Sequence, residues 1–122
     1  MTDPESLARA EYCYLTTTGR VTGNAHEIEI WFALVPSDSS GTLYMLSGGG
    51  DRADWVRNLR QDPRVTVRIN GETFGGRARE PADDEEEDLA RRLLVQKYER
   101  VPGRLANWRR SSLPVAVDLE RA

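Results

Sequence analysis

The sequence predicts an α+β, mainly β domain in which six to seven antiparallel strands form a small closed or split β-barrel with flanking helices. Apolar and polar residues alternate along several short segments, most clearly at 25–34 (AHEIEIWFAL) and 64–69 (RVTVRI), as they do in strands with one buried face. Strong turn signals separate these segments, above all Asn70-Gly71. The resulting order is β-β-β-α-β-β-α-β, mostly antiparallel, within one domain spanning residues 1–122.

Asp3-Pro4 places an N-cap before a proline at the first helical position, and Leu7 and Ala8 give the short helix an apolar side. Glu11 to Thr18 (EYCYLTTT) is rich in aromatic and β-branched residues and reads as a strand, ended by the turn Gly19-Arg20…Gly23-Asn24. From Ala25 a single return strand runs to Leu34. Ile28, Ile30, Phe32 and Leu34 form its core face, while Glu27, Glu29, Trp31 and Ala33 form a face suited to a dimer surface or the wall of a cleft.

The polar loop Pro36 to Gly41 leads to a strand at Thr42–Ser47, a glycine loop and a helix over 51–61, which Asp62-Pro63 ends. Arg64–Ile69 and Glu72–Arg79 make a hairpin about Asn70-Gly71, and Gly75-Gly76 predict a bulge or sharp coil. From Asp83 a longer helix turns Leu89, Leu93 and Leu94 inward and ends near Tyr98, before Pro102-Gly103. A short helix through Trp108 precedes the last strand, Leu113 to Leu119, with Val115, Val117 and Leu119 on one face.

Composition narrows the function classes. Hydrophobic content of 39% and charged content of 30% suit a soluble globular protein, and no apolar run is long enough to cross a bilayer. The first residues, MTDPESLARAE, lack the basic and apolar segments of a signal peptide, so a cytoplasmic location is expected. A net charge of −3 argues against nucleic-acid binding. Cys13, the only cysteine, excludes an internal disulfide and fits core packing. The acidic run DDEEED at 83–88 reads as a solvated helix start. No metal site is expected: His26 points away from Glu27 and Glu29 on a strand, and there is no second histidine.

The stretch Leu43–Leu59 (LYMLSGGGDRADWVRNL) carries the strongest functional signal, an apolar strand running into three glycines and an arginine-bearing helix. Gly48, Gly49 and Gly50 allow backbone N–H groups to approach a ligand closely. Asp51 reads as the N-cap, and Arg52 adds a donor suited to phosphate or carboxylate. The loop matches neither GxxxxGK[ST] nor GxGxxG, so P-loop and Rossmann readings lose their support.

Taken together, LTTTGRVTGN at 15–24, the strand ending in Trp31, SGGG…DWVRNL at 47–59, DPRVTVRING at 62–71 and LPVAV at 113–117 resemble the deazaflavin (F420)-dependent oxidoreductase and nitroreductase family. That family has the split β-barrel of the pyridoxamine-phosphate-oxidase and flavin-reductase group. The resemblance covers about residues 11 to 119. It implies hydride transfer from F420H2 to a small unsaturated, quinone-like or nitro acceptor, the protein supplying position and electrostatics. It further implies that Thr17, Thr18, Gly19 and Arg20 contact the cofactor and that Ser47, Gly48, Gly49, Gly50 and Trp55 line the same groove. Arg52, Arg57 and Asn58 are the remaining polar candidates. A homodimer is implied by fold analogy.

The match has departures. Val21 stands where many members carry a basic residue, Gly48 replaces the lysine of SKGG, and His26 stands where an arginine of a PR pair would be. His26 stays a cofactor-binding candidate, since a neutral imidazole can donate to a ring carbonyl or phosphate, the alternative being a strand histidine satisfied at the barrel rim. Residues 101–107, VPGRLAN, lack the tyrosines of nitroreducing members. Two alternatives therefore stand beside the F420 reductase: an FMN-binding protein on the same fold, and a non-catalytic module that binds a ligand or dimerises. No nucleophile–base pair is present, which fits all three, since a hydride transferase needs none.

Overall fold

A computed structural model describes residues 4–37 and 41–120. The elements are α1 (Pro4–Arg9), β1 (Cys13–Thr18), β2 (Ala25–Ile30), β3 (Ala33–Pro36), β4 (Gly41–Ser47), α2 (Asp54–Gln61), β5 (Arg64–Ile69), β6 (Glu72–Arg79), α3 (Asp84–Tyr98), α4 (Ala106–Ser111) and β7 (Leu113–Glu120). The seven strands form one curled antiparallel sheet, a half-barrel, in the order β2-β1-β5-β6-β7-β4-β3. Among the described residues no helix is long and apolar enough to cross a membrane, and no group of acids, histidine and cysteine is arranged to hold a metal.

The concave side holds the larger core, in which Leu15, Phe32, Leu43, Met45, Val67, Ile69 and Val117 are fully enclosed. Cys13 lies in this core as a free thiol. A second core lies under α3, where Ala90, Leu94 and Tyr98 cover Tyr44, Leu46 and Ala116, with Leu89 and Leu93 at its margin. Consequently β4 and β7 are buried on both faces, whereas the sequence pattern predicts one buried face for every strand. Asp83 caps α3, its carboxylate accepting from the Glu86 amide at 2.8 Å.

The expected single strand from Ala25 to Leu34 is two strands, and they lie at opposite edges of the sheet. The break falls at Trp31-Phe32. Phe32 donates its backbone N–H to the Tyr98 hydroxyl at 3.0 Å, and its carbonyl accepts from Lys97 Nζ at 2.9 Å. Side chains of α3 thus replace the neighbouring strand as hydrogen-bond partners of Phe32. Trp31 stacks on Tyr98, with ring centroids 4.3 Å apart, and Ala33 joins the same second core, while Ile28, Ile30, Phe32 and Leu34 pack against the larger one, so the two faces that periodicity assigns persist across the break. Burial of Lys97 lowers its pKa to about 8, while burial raises the Tyr98 phenol and the Cys13 thiol to about 12 each.

Other expectations also change. Asp51 is not the N-cap of α2: Gly50–Arg52 form a 3-10 turn, and the helix begins after Ala53, whose extended backbone occupies the cap position. Gly75-Gly76 make no bulge, because β5, β6 and β7 pair in unbroken register past them. Gly76 serves close packing, since a Cβ there would lie 2.8 Å from Val117 Cγ1. The proposed cap Asp3 and the tip of the 36–41 loop lie outside the described residues.

One charged cluster ties β6, α3 and β7 together. Arg79 bonds Glu86 at 2.6 Å and Asp118 at 2.7 Å, and Tyr44 donates to Glu86 at 2.7 Å. The Arg79 guanidinium holds the Glu86 carboxyl down to about 2, and burial, together with the same carboxylate, lifts the Tyr44 phenol to about 12.

Candidate cofactor site

The site begins with strand alternation. Cys13, Leu15 and Thr17 point inward from β1, so Thr17, one residue before the strand ends, carries a buried hydroxyl that must find a partner. It finds Asn58, on the buried side of α2 with Val56 and Leu59, whose Nδ2 donates to Thr17 Oγ1 at 3.1 Å. The Asn58 Oδ1 in turn accepts from the Arg20 backbone N–H at 3.2 Å and from Arg20 Nη1 at 2.9 Å. A buried amide therefore fixes the arginine. The remaining Nη2 of Arg20 reaches Asp54 Oδ1 at 3.2 Å.

The turn that carries Arg20 is closed by its own backbone, with the Gly19 N–H donating to Asn24 at 2.7 Å and the Gly23 N–H to Gly19 at 2.8 Å. Gly23 has φ of +79°, which suits glycine. His26 stands opposite Thr17 in the β1–β2 register, and its exposed ring lies over Gly19. A Cβ on Gly19 would come within 2.6 Å of His26 Nε2 and 3.1 Å of the Asn24 carbonyl, so a side chain there would have to displace the ring and press on the turn's own backbone. Thr18 is half-buried at the strand end.

The glycine loop approaches α2 from β4. Ser47 is buried and donates its hydroxyl to the Gly50 carbonyl at 3.0 Å, holding the loop closed, and Gly50 takes φ of +62°. Gly48 and Gly49 are exposed, so their backbone is open to a ligand. A Cβ on Gly48 would sit 3.7 Å from Trp108 Nε1, which makes Trp108 the wall of this loop. Trp108 meets Trp31 edge to face at 5.8 Å.

Two structural units thus converge on α2. Asn58 is hydrogen-bonded to both Thr17 and Arg20, His26 of β2 lies over Gly19, and Ser47, Gly48, Gly49 and Gly50 form the loop that leads into the helix. Arg52 and Arg57 expose their side chains. Trp55 packs against the larger core as a half-buried residue. Sequence reasoning missed Asp54 and Trp108. Asp54 had a signal, standing four residues before Asn58 on the same helical face; Trp108 had none, because its approach to Gly48 is purely tertiary.

The residues suit a flat anionic cofactor: a fixed guanidinium, exposed glycine backbone and an indole wall are donors and surface of the right kind. The model of the F420H2-dependent quinone reductase family matches residues 4–120. The chain belongs to that family. F420 is accordingly its cofactor. Solved structures share its fold. The chain is 25% identical to an F420-H2 dependent reductase, covering 90% of this chain and 94% of that one with a TM-score of 0.65. A second structure, described as a domain-swapped dimer, is 23% identical, with 90% and 80% covered and a TM-score of 0.66. A third, from Listeria innocua and assigned as a pyridoxamine 5'-phosphate oxidase, is 16% identical, with 94% and 88% covered and a TM-score of 0.66. This last one shares the fold.

Proposed function

We propose that the chain is an F420H2-dependent reductase whose acceptor is a small quinone-like molecule, enones and nitro compounds forming the wider class. When bound, reduced F420 supplies the hydride; a proton from solvent completes the two-electron reduction of the acceptor. The observation that carries the reading is the chain of bonds from Thr17 through Asn58 to Arg20, beside the Ser47–Gly50 loop. Arg20 binds a phosphate or carboxylate of the cofactor, and the fixed amide of Asn58 orients it. Gly48 and Gly49 offer backbone N–H groups, and His26 covers the turn. The protein acts in the cytoplasm. A second copy completes a homodimer, for which the sheet offers the edge strands β2 and β3.

Titration of the purified protein with F420 and, separately, FMN tests this. F420 is expected to bind, and Arg20→Ala to weaken it about 10-fold or more, as loss of a charge-assisted hydrogen bond does. Oxidation of F420H2 by a naphthoquinone gives the activity readout. Binding of FMN in place of F420 would overturn the reading.

A further inference from the structure

We propose that Asp54 is a built-in competitor for the anion that Arg20 binds, so that its carboxylate sets the affinity of the site. The inference rests on Arg20 being the anion donor, as proposed above. Asp54 is not what positions the arginine: Asn58 Oδ1 already holds the Arg20 backbone N–H at 3.2 Å and Nη1 at 2.9 Å. Asn58 is itself 3% exposed and bonded to Thr17, so this anchor stays in place when the outer edge of the guanidinium changes partner.

That outer edge, Nη2, meets Asp54 Oδ1 at 3.2 Å. The Asp54 side chain is 85% exposed and that of Arg20 31%, so the carboxylate is held from one side and returns to water at little cost. Its chemistry is that of the ligand, since a phosphate or carboxylate oxygen makes the same charge-assisted bond to the same nitrogen. Binding is then an exchange. One N–H···O bond to Asp54 breaks as one to the cofactor's anionic group forms, and the displaced carboxylate is solvated.

Asp51 supplies the control. It is a second exposed acid in the adjoining loop, but it faces Arg60 at 3.9 Å. F420 dissociation constants are to be measured by ligand fluorescence for the unaltered protein, Asp54→Asn, Asp51→Asn, Arg20→Ala and the Arg20→Ala/Asp54→Asn pair, with circular dichroism confirming the fold. Asp54→Asn is expected to tighten binding about 2- to 5-fold, the range an exposed ion pair supplies. Asp51→Asn should give a smaller gain, and the gain from Asp54→Asn should vanish when Arg20 is absent. Equal gains from both asparagine variants, or a gain that persists without Arg20, mean general charge repulsion and overturn the proposal. Weaker binding in Arg20→Ala with no gain in Asp54→Asn overturns this inference alone. Unchanged binding in Arg20→Ala overturns it together with the reading beneath it.

Discussion

Asn58 holds Arg20 twice, through the backbone N–H at 3.2 Å and through Nη1 at 2.9 Å, both on one amide oxygen. Because its amide nitrogen is spent on Thr17, every polar atom of a buried asparagine has a structural duty. Asn58→Ala is expected to cost about 2 to 3 kcal/mol, since it leaves the buried Thr17 hydroxyl without its partner. Urea denaturation measures the loss. Cofactor titration on the folded variant should show weaker binding as well, because Arg20 loses its anchor.

Gly19 and His26 should be coupled. An alanine at Gly19 meets His26 Nε2 at 2.6 Å and the Asn24 carbonyl at 3.1 Å. Gly19→Ala is therefore destabilising, and His26→Ala in the same chain should recover part of the loss. A coupling of about 1 kcal/mol in the double-mutant cycle is the expected outcome; strict additivity would mean that the ring swings aside without cost.

Adjacent glycines in β6 should behave differently. Gly76→Ala forces a methyl to 2.8 Å from Val117 Cγ1 and 3.2 Å from the Asp118 carbonyl, and is expected to cost about 1 to 3 kcal/mol through overpacking. Nothing lies within 4 Å of a Cβ on Gly75, so Gly75→Ala should be neutral within about 0.5 kcal/mol. Comparing the two melting temperatures tests the packing argument directly.

Acid should loosen the junction of α3 with the sheet. Arg79 holds Glu86 at a pKa of about 2, below the ordinary value of 4.5, so this carboxylate is ionised in both states above the ordinary value. As pH falls from there toward 2, the unfolded chain takes up the proton first, and the stabilisation is lost. Asp118, lowered by the same arginine, adds to the slope. With Arg79 about one-third exposed, on the order of 2 kcal/mol should disappear across this window. Denaturation midpoints at about pH 5 and about pH 3 measure it, and Glu86→Gln should flatten the dependence.

Local chemistry made much of this molecule legible. Strand alternation, the Asn70-Gly71 turn and the helix that follows Asp83 each act over a few residues and stand in the structure, whereas the cap at Asp51 and the bulge at Gly75-Gly76 do not. The failures share a cause. Alternation continues straight through Trp31-Phe32, and only the Tyr98 hydroxyl and Lys97, more than sixty residues away in sequence, reveal that the strand stops there. Within the site, the motif brought out Thr17, Arg20 and Asn58, but their mutual bonding depends on how α2 docks against β1, which no spacing encodes.

The sheet order has a consequence for the time course of synthesis. The hairpin of β3 and β4 touches the rest of the sheet only through β7, and β6 likewise meets β4 only across β7. While the chain is being made, β1, β2, β5 and β6 can pair as one ribbon and β3 with β4 as another, each with an open edge. Joining them waits for Leu113–Glu120 to emerge. The half-barrel is therefore completed by β7 rather than built outward from β1.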